Sequence, residues 1–175
     1  MNNPQYMSGT GNNFLVSKYE NSKTDIEIIS IVADSLFEID GVIFVEKVDS
    51  LTVKMHYYNN DGSTAELCVN GVRCVAKYAL DNSIVDNSDL TVVAPIGNIK
   101  TNVTENIVKI EVSIPTYEAN KILINGIACI KSYIGNPHLL VEVENVDKFD
   151  LEQFVQKVYE TKEFENGVNV EIFNM

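Results

Sequence analysis

Residues 59–74, NNDGSTAELCVNGVRC, place one thiol where its protonation can be tuned. A turn-forming cluster (Asn59, Asn60, Asp61, Gly62, Ser63) leads through a short segment to Cys68, and the residues after that cysteine read as a helix. A thiol at a helix start faces unpaired backbone N–H groups and the positive end of the helix dipole. Both favour thiolate, so a thiol with an ordinary pKa of ~8.5 can be lowered toward neutrality there. Such a sulfur could take up or give back a proton at physiological pH. The alternative is that Cys68 is one more small buried apolar residue, as most free cysteines are. The segment alone does not choose between them.

The segment resembles the catalytic loop of the diaminopimelate epimerase family, whose motif has the form N-x-D-G-S…C-G-N-G-x-R-C. Here it stands as Asn59, Asp61, Gly62, Ser63, then Cys68, Val69, Asn70, Gly71, Val72, Arg73 and Cys74. Further stretches match in the family's order: Gly9-Thr10-Gly11-Asn12-Asn13-Phe14, Asp40-Gly41, Gly135-Asn136-Pro137-His138 and Gly167-Val168-Asn169-Val170. The resemblance implies a cofactor-independent isomerase of the cytoplasm that interconverts LL- and meso-diaminopimelate in lysine and peptidoglycan precursor synthesis. It implies an α+β fold in which a strand-rich barrel lobe wraps a central helix, with a second lobe of the same type.

Inverting an α-carbon without a cofactor needs one group to remove the α-proton and another to return a proton from the far face, and thiols suit both tasks. By resemblance Cys68 is one of that pair, and His138 orients or polarises the site. A lone histidine is otherwise more often structural. Asn12, Asn59, Asn70, Asn136 and Asn169, with the backbone at Val69 and Gly71, are the implied substrate-binding positions. Singly each asparagine is an ordinary turn former. Together their amides, each both donor and acceptor, suit a substrate with two amino-acid ends.

The motif departs from the family at Val69, where glycine is usual, and in Phe37-Glu38-Ile39-Asp40-Gly41, where the family's Gly-rich run has lost glycines. The family's Glu-Arg pair and its second, Cys-Gly-Thr thiol loop have no match in the 175 residues. The expectation is a truncated chain, with Cys129 in an apolar run suited to core packing and Cys74 facing the interior. The partner arrangements left open are a homodimer and a separate C-terminal half. Two other readings also stand: another isomerase on this fold that works without pyridoxal phosphate, of the proline racemase or phenazine-synthesis type, and a non-catalytic remnant lobe.

The elements that must position these residues can be read from periodicity. Phe14 to Tyr19 reads as a first strand. Thr24 and Glu27 form a capping-box pair before Ile28, Ile29, Val32 and Leu36, which predicts a helix from about Asp25. GVIFVEK and LTVKMHYY are β-rich runs joined by Val48-Asp49-Ser50, a hairpin pattern. Val72, Val75, Ala76, Ala79 and Leu80 recur at helical spacing, with an end at Asp81-Asn82-Ser83. Strand-like runs come next at LTVVAP, IVKIEVSIP, KILING, IACIKSYI and HLLVEVENV. Asp150 and Gln153 open an amphipathic helix, and Asn166-Gly167 turns the chain into a last strand, VNVEIF. With a proline at Pro115, the lobes are expected over residues 1–116 and 117–175.

Composition narrows the function classes. The net charge of −12 and the lack of any Lys/Arg-rich run speak against nucleic acid or an anionic membrane as partner. The start, MNNPQYMSGTGNNF, has no charged or apolar signal region, and no apolar run approaches the ~20 residues of a membrane span. Three cysteines do not make a disulfide framework, and the Cys68/Cys74 spacing is not the short C-x-x-C of a metal site. A small-molecule substrate, with neither metal nor cofactor, is the expectation.

Overall fold

A computed structural model describes residues 2–64, 68–105, 107–164 and 167–175. The chain divides into two compact units, Met1–Val112 and Ser113–Met175.

In the first unit the strands are β1 (Asn2–Gly9), β2 (Asn12–Lys18), β3 (Gly41–Lys47), β4 (Thr52–Asn59), β5 (Asp89–Ala94), β6 (Gly97–Thr104) and β7 (Ile107–Ile110). Each lies beside its neighbour in sequence, in one seven-stranded sheet. Antiparallel hairpins make most of the pairings, and the two parallel ones, β2/β3 and β4/β5, are bridged by helices. These are α1 (Asp25–Ala33) and α2 (Val69–Asp81).

The sheet curls around α2, which packs against every one of its strands. Alternation decides what each strand offers. Phe14, Val16, Ile43, Val45, Val53 and Met55 join Val72, Cys74, Val75, Tyr78 and Ala79 of the helix in one core. The opposite faces of β2 and β3 send Leu15, Val42 and Phe44 to meet Ile28 of α1 and Ile39. Strands β2 and β3 are therefore apolar on both faces, as strands sandwiched between helices must be. Burying each large aliphatic side chain contributes about 1.5–3 kcal/mol, so the inner core dominates the stability of the unit.

The local signals largely act as read. Thr24 caps α1: its backbone N–H donates to Glu27 Oε2 at 2.8 Å, and its hydroxyl receives the Glu27 N–H at 3.3 Å. β3 and β4 pair antiparallel, with the Val48 N–H donating to the Thr52 carbonyl at 3.0 Å across the turn. The β1–β2 hairpin turns on Thr10 and Gly11, with φ of 51° and 96°, the twisted two-residue turn that matches strand twist.

Two strands carry no strong signal in the sequence. The chain opens with β1, ahead of the run at Phe14, and its polar, proline-containing sequence suits an edge strand. β6, GNIKTNVT, buries Ile99, Thr101 and Val103 on one face and is otherwise polar; Thr101 is accommodated because its hydroxyl donates to the Leu90 carbonyl at 2.9 Å. In the other direction, IVKIEVSIP is strand only to Ile110. Beyond the Glu111 N–H, bonded to the Lys100 carbonyl, Val112 and Ile114 are exposed, so the alternation there finds no partner among the described residues.

The second unit orders its strands β12 (Asn169–Phe173), β11 (Pro137–Glu142), β10 (Ile127–Tyr133) and β8 (Thr116–Tyr117), with β9 (Ile122–Ile124) also paired to β10. β11 and β12 are parallel and are connected through α3 (Leu151–Glu160), whose first turn is capped by Asp150 accepting the Gln153 N–H at 2.9 Å. Ile124, Cys129, Leu139, Val141, Phe154 and Val158 form its core. Asn166 of the expected Asn166-Gly167 turn lies outside the described residues; Gly167 has φ of 85°.

Candidate active site

The turn before Cys68 folds as its residue types dictate. Ser63 Oγ and its N–H both donate to Asp61 Oδ1, at 2.6 and 2.9 Å, and the Asn59 N–H reaches the Ser63 carbonyl at 2.8 Å. Gly62 has φ of 88° and its α-carbon sits so close to the backbone of Asp25 that a Cβ would lie 3.0 Å from the Asp25 carbonyl oxygen. The lead-in at residues 65–67 lies outside the described residues.

Cys68 is the N-cap of α2. Its backbone is extended (φ −131°, ψ 92°), its carbonyl accepts the Val72 N–H at 2.9 Å, and its Sγ accepts the Gly71 N–H at 3.3 Å. Gly71 packs tightly: a Cβ would come within 2.7 Å of Met55 Cε and 3.1 Å of Ile43 Cδ1, so those two side-chain ends on β4 and β3 would have to shift to admit one. Val69 is the first helical residue and is half-buried.

The reading in which this setting lowers the Cys68 pKa toward neutrality is overturned. Burial of the sulfur pushes its pKa up; N–H groups of Gly71 and Asn70 pull it down by less, and the Asp40 carboxylate adds to the rise. Dehydration disfavours the thiolate more than the donors stabilise it. Cys68 is therefore a protonated thiol at neutral pH. Cys74, 3% exposed, is pushed up to about 12, mainly by burial, and Cys129, 0% exposed, is pushed up by burial in the core of the other unit.

Around the start of α2 the amide side chains form a chain. Arg73 Nη1 donates to Asn70 Oδ1 at 2.7 Å, and Asn70 Nδ2 donates to Asn12 Oδ1 at 2.8 Å. Asn12 Nδ2 faces Asp40 Oδ2 at 3.4 Å, and the same carboxylate oxygen accepts the Asn13 N–H at 2.7 Å. Gly9, the last residue of β1, touches the helix so closely that a Cβ would lie 2.5 Å from the Asn70 carbonyl oxygen. Asn59 is held on its own strand and turn, accepting from the Tyr57 hydroxyl at 2.8 Å and donating to Ser63 Oγ at 2.9 Å. The Tyr57 phenol is pushed up to about 12 by burial first, then by the charges of Cys68, Asp40 and Asp61.

The remaining expected residues lie together in the second unit. His138 opens β11 in register with Asn169 of β12. Its Nδ1 is 2.6 Å from Glu171 Oε1 and its Nε2 is 2.8 Å from Asn136 Oδ1, while Asn169 Nδ2 faces the Pro137 carbonyl at 3.4 Å. A carboxylate only accepts, so the Nδ1 proton points to Glu171. Among the described residues no cluster of His, Cys, Asp and Glu could hold a metal ion, and no helix is long and apolar enough to cross a membrane.

Four neighbours had no role assigned from the sequence: Asp40, Tyr57, Arg73 and Glu171. Arg73 and Asp40 stood inside matched motifs. Glu171 carried no signal, because a carboxylate two residues along a strand from Asn169 reads as an ordinary solvent-facing side chain until the sheet sets it beside His138.

The sequence model of the family described as diaminopimelate epimerase matches residues 5–119. A diaminopimelate epimerase of Methanococcus maripaludis is 32% identical over 97% of this chain, which spans 70% of that relative; one of Thermotoga maritima is 31% identical over 96%, spanning 69%. Among solved structures, a phenazine biosynthesis protein of the PhzF family from Bacillus anthracis superposes with a TM-score of 0.64 at 17% identity, covering 97% of this chain and 66% of that one. A hydroxyproline epimerase from Agrobacterium vitis does so at 0.57 and 12% identity, covering 83% and 52%. These structural likenesses bear on the fold, and the chain covers about half to two thirds of those proteins. The family match over residues 5–119 and the sequence relatives together carry the conclusion that this chain belongs to the diaminopimelate epimerase family of isomerases.

Proposed function

We propose that this protein serves the interconversion of LL- and meso-diaminopimelate, with Cys68 exchanging the α-proton from one face of the substrate and no cofactor involved. The observation that carries the reading is the Cys68 sulfur at the N-cap of α2, receiving a backbone N–H at 3.3 Å. In its resting state the thiol is the proton donor. Once it has given its proton, the thiolate is met by donors already in place, so little reorganisation is needed. The helix start, with Val69 at its first position, suits the carboxylate of the reacting end, as helix N-termini suit anions generally. In the first unit Asn12, Asn59 and Asn70 are the candidates for binding substrate; in the second unit they are Asn136 and Asn169, with His138 as the polarising candidate. The opposing acid/base group is neither Cys74 nor Cys129, each sealed in a core.

We read residues 1–116 as the first lobe and 117–175 as the opening of a second; the division into units after Val112 supports this arrangement. The three free thiols support a reducing, cytoplasmic setting. The test is solvent deuterium uptake at the α-carbon of LL- or meso-diaminopimelate. It is run with the chain alone and with the C-terminal part of the Methanococcus relative added. Uptake is expected with that part added and is lost in Cys68→Ala. Uptake that persists in Cys68→Ala, or none in either mixture, would overturn the proposal.

A further inference from the structure

The chain of side chains at the start of α2 has two ends that cannot be reversed. A guanidinium has donors only and a carboxylate has acceptors only. Arg73 therefore requires the oxygen of Asn70 to face it, at 2.7 Å, which turns the Asn70 NH2 toward Asn12 Oδ1 at 2.8 Å. Asp40 requires an N–H from its neighbour, and the Asn12 NH2 supplies it at 3.4 Å. Flipping Asn70 would set donor against donor at Arg73, and flipping Asn12 would set acceptor against acceptor at Asp40. The two ends demand the same polarity, so the two amides lock each other.

Asp40 is itself held firmly. Its N–H donates to the Asn13 carbonyl at 2.7 Å while its carboxylate accepts the Asn13 N–H at 2.7 Å. The chain thus ties helix α2, the β1–β2 hairpin and the segment before β3 at one point, next to Cys68.

We propose that Arg73 and Asp40 are positioning residues that act through Asn70 and Asn12, fixing the direction of both amides. Each amide oxygen is then already engaged, and among the described residues each NH2 keeps one uncommitted hydrogen. This wall offers donors, and it favours an oxygen acceptor such as a carboxylate over an ammonium. The inference rests on the reading of Asn12 and Asn70 as substrate contacts; the direction of the amides does not.

The test uses the full 15N-labelled chain and the side-chain NH2 signals of Asn12 and Asn70. In Arg73→Met both signals should exchange with water about fivefold faster or more, the scale of losing one ordinary hydrogen bond. The backbone amides of Val75 and Ala79 in the same helix should keep their protection. Asp40→Ala approaches from the exposed end, where α2 is not at risk, and should also move both signals. A response of Asn70 alone to Arg73→Met, or acceleration of the helix backbone to the same degree, would overturn the proposal. A second arm titrates meso-diaminopimelate: affinity should fall in Arg73→Met while the alkylation rate of Cys68 is unchanged. An unbound substrate in the unsubstituted chain would instead count against the functional reading and leave the NMR result standing.

Discussion

Replacing Gly9 by alanine tests whether β1 holds the start of α2 in place. The added Cβ would lie 2.5 Å from the Asn70 carbonyl oxygen and 3.1 Å from Cys74 Sγ. Ordinary contact begins near 3.4 Å, so strand and helix must part by about 0.9 Å (3.4 less 2.5), and the nearer obstacle is backbone, which no rotamer change can relieve. Overpacking of this kind costs about 1–3 kcal/mol. Against it stands the gain from a less flexible unfolded chain, about 0.4–1 kcal/mol where alanine fits without strain. The expected net effect lies between about zero and a loss of roughly 2.6 kcal/mol, so a gain in stability is the diagnostic outcome. Because the chain has two compact units, a global melting curve would mix them, and hydrogen exchange at the buried amides of α2 is the cleaner measure. Alkylation of Cys68 should quicken as its cap loosens. A variant whose α2 amides exchange more slowly than before would show that the helix start can retreat at no cost, and the steric argument would fail.

Limiting iodoacetamide should label Cys68 first, since Cys74 and Cys129 are buried; the rate should keep climbing as pH rises above the ordinary thiol value of 9.0, and a plateau near neutrality would mean the thiol is not raised. Cys74 keeps its proton in the folded chain to about 12, whereas the unfolded chain loses it near 9.0, so its contribution is complete below 9.0 and fades as pH climbs toward about 12. The slope is about 1.4 kcal/mol per pH unit. Cys74→Ala should flatten that part of the alkaline stability profile by this amount, read from denaturation at stepped pH. Thr24→Ala should cost α1 about 1 kcal/mol, the usual worth of an N-cap, seen as faster exchange of its amides while those of α2 are unmoved.

Much of the architecture was legible because local and global signals agree. The capping pair at Thr24 and Glu27, the apolar face of α2 and the alternation of β4 each appear where their periods put them. β1 was invisible because an edge strand buries little and needs no alternation, and β6 because its buried face is only Ile99, Thr101 and Val103 among polar neighbours. At the site the position of Cys68 at the helix start was readable, but its protonation was not. The helix start is a property of a few consecutive residues, whereas burial of the sulfur depends on strands distant in sequence. The pairing of Arg73 with Asn70, three positions apart on a helix, follows from helical spacing; that of Asn70 with Asn12, 58 positions away, does not.

The sequential order of the first sheet has a consequence for how the chain folds as it is synthesised. Each strand pairs with the one made just before it. The four antiparallel pairs can therefore form as hairpins with short loops to close, while the two parallel pairings need the longer crossovers through α1 and α2. The inner faces of β1 to β4 have no core to cover until α2, made after them, arrives. A ribosome paused before residue 81 would carry a half-built curl of strands with an open apolar face, the species on which a chaperone would act. Completion of α2 is then the step that converts a row of hairpins into a cooperative unit.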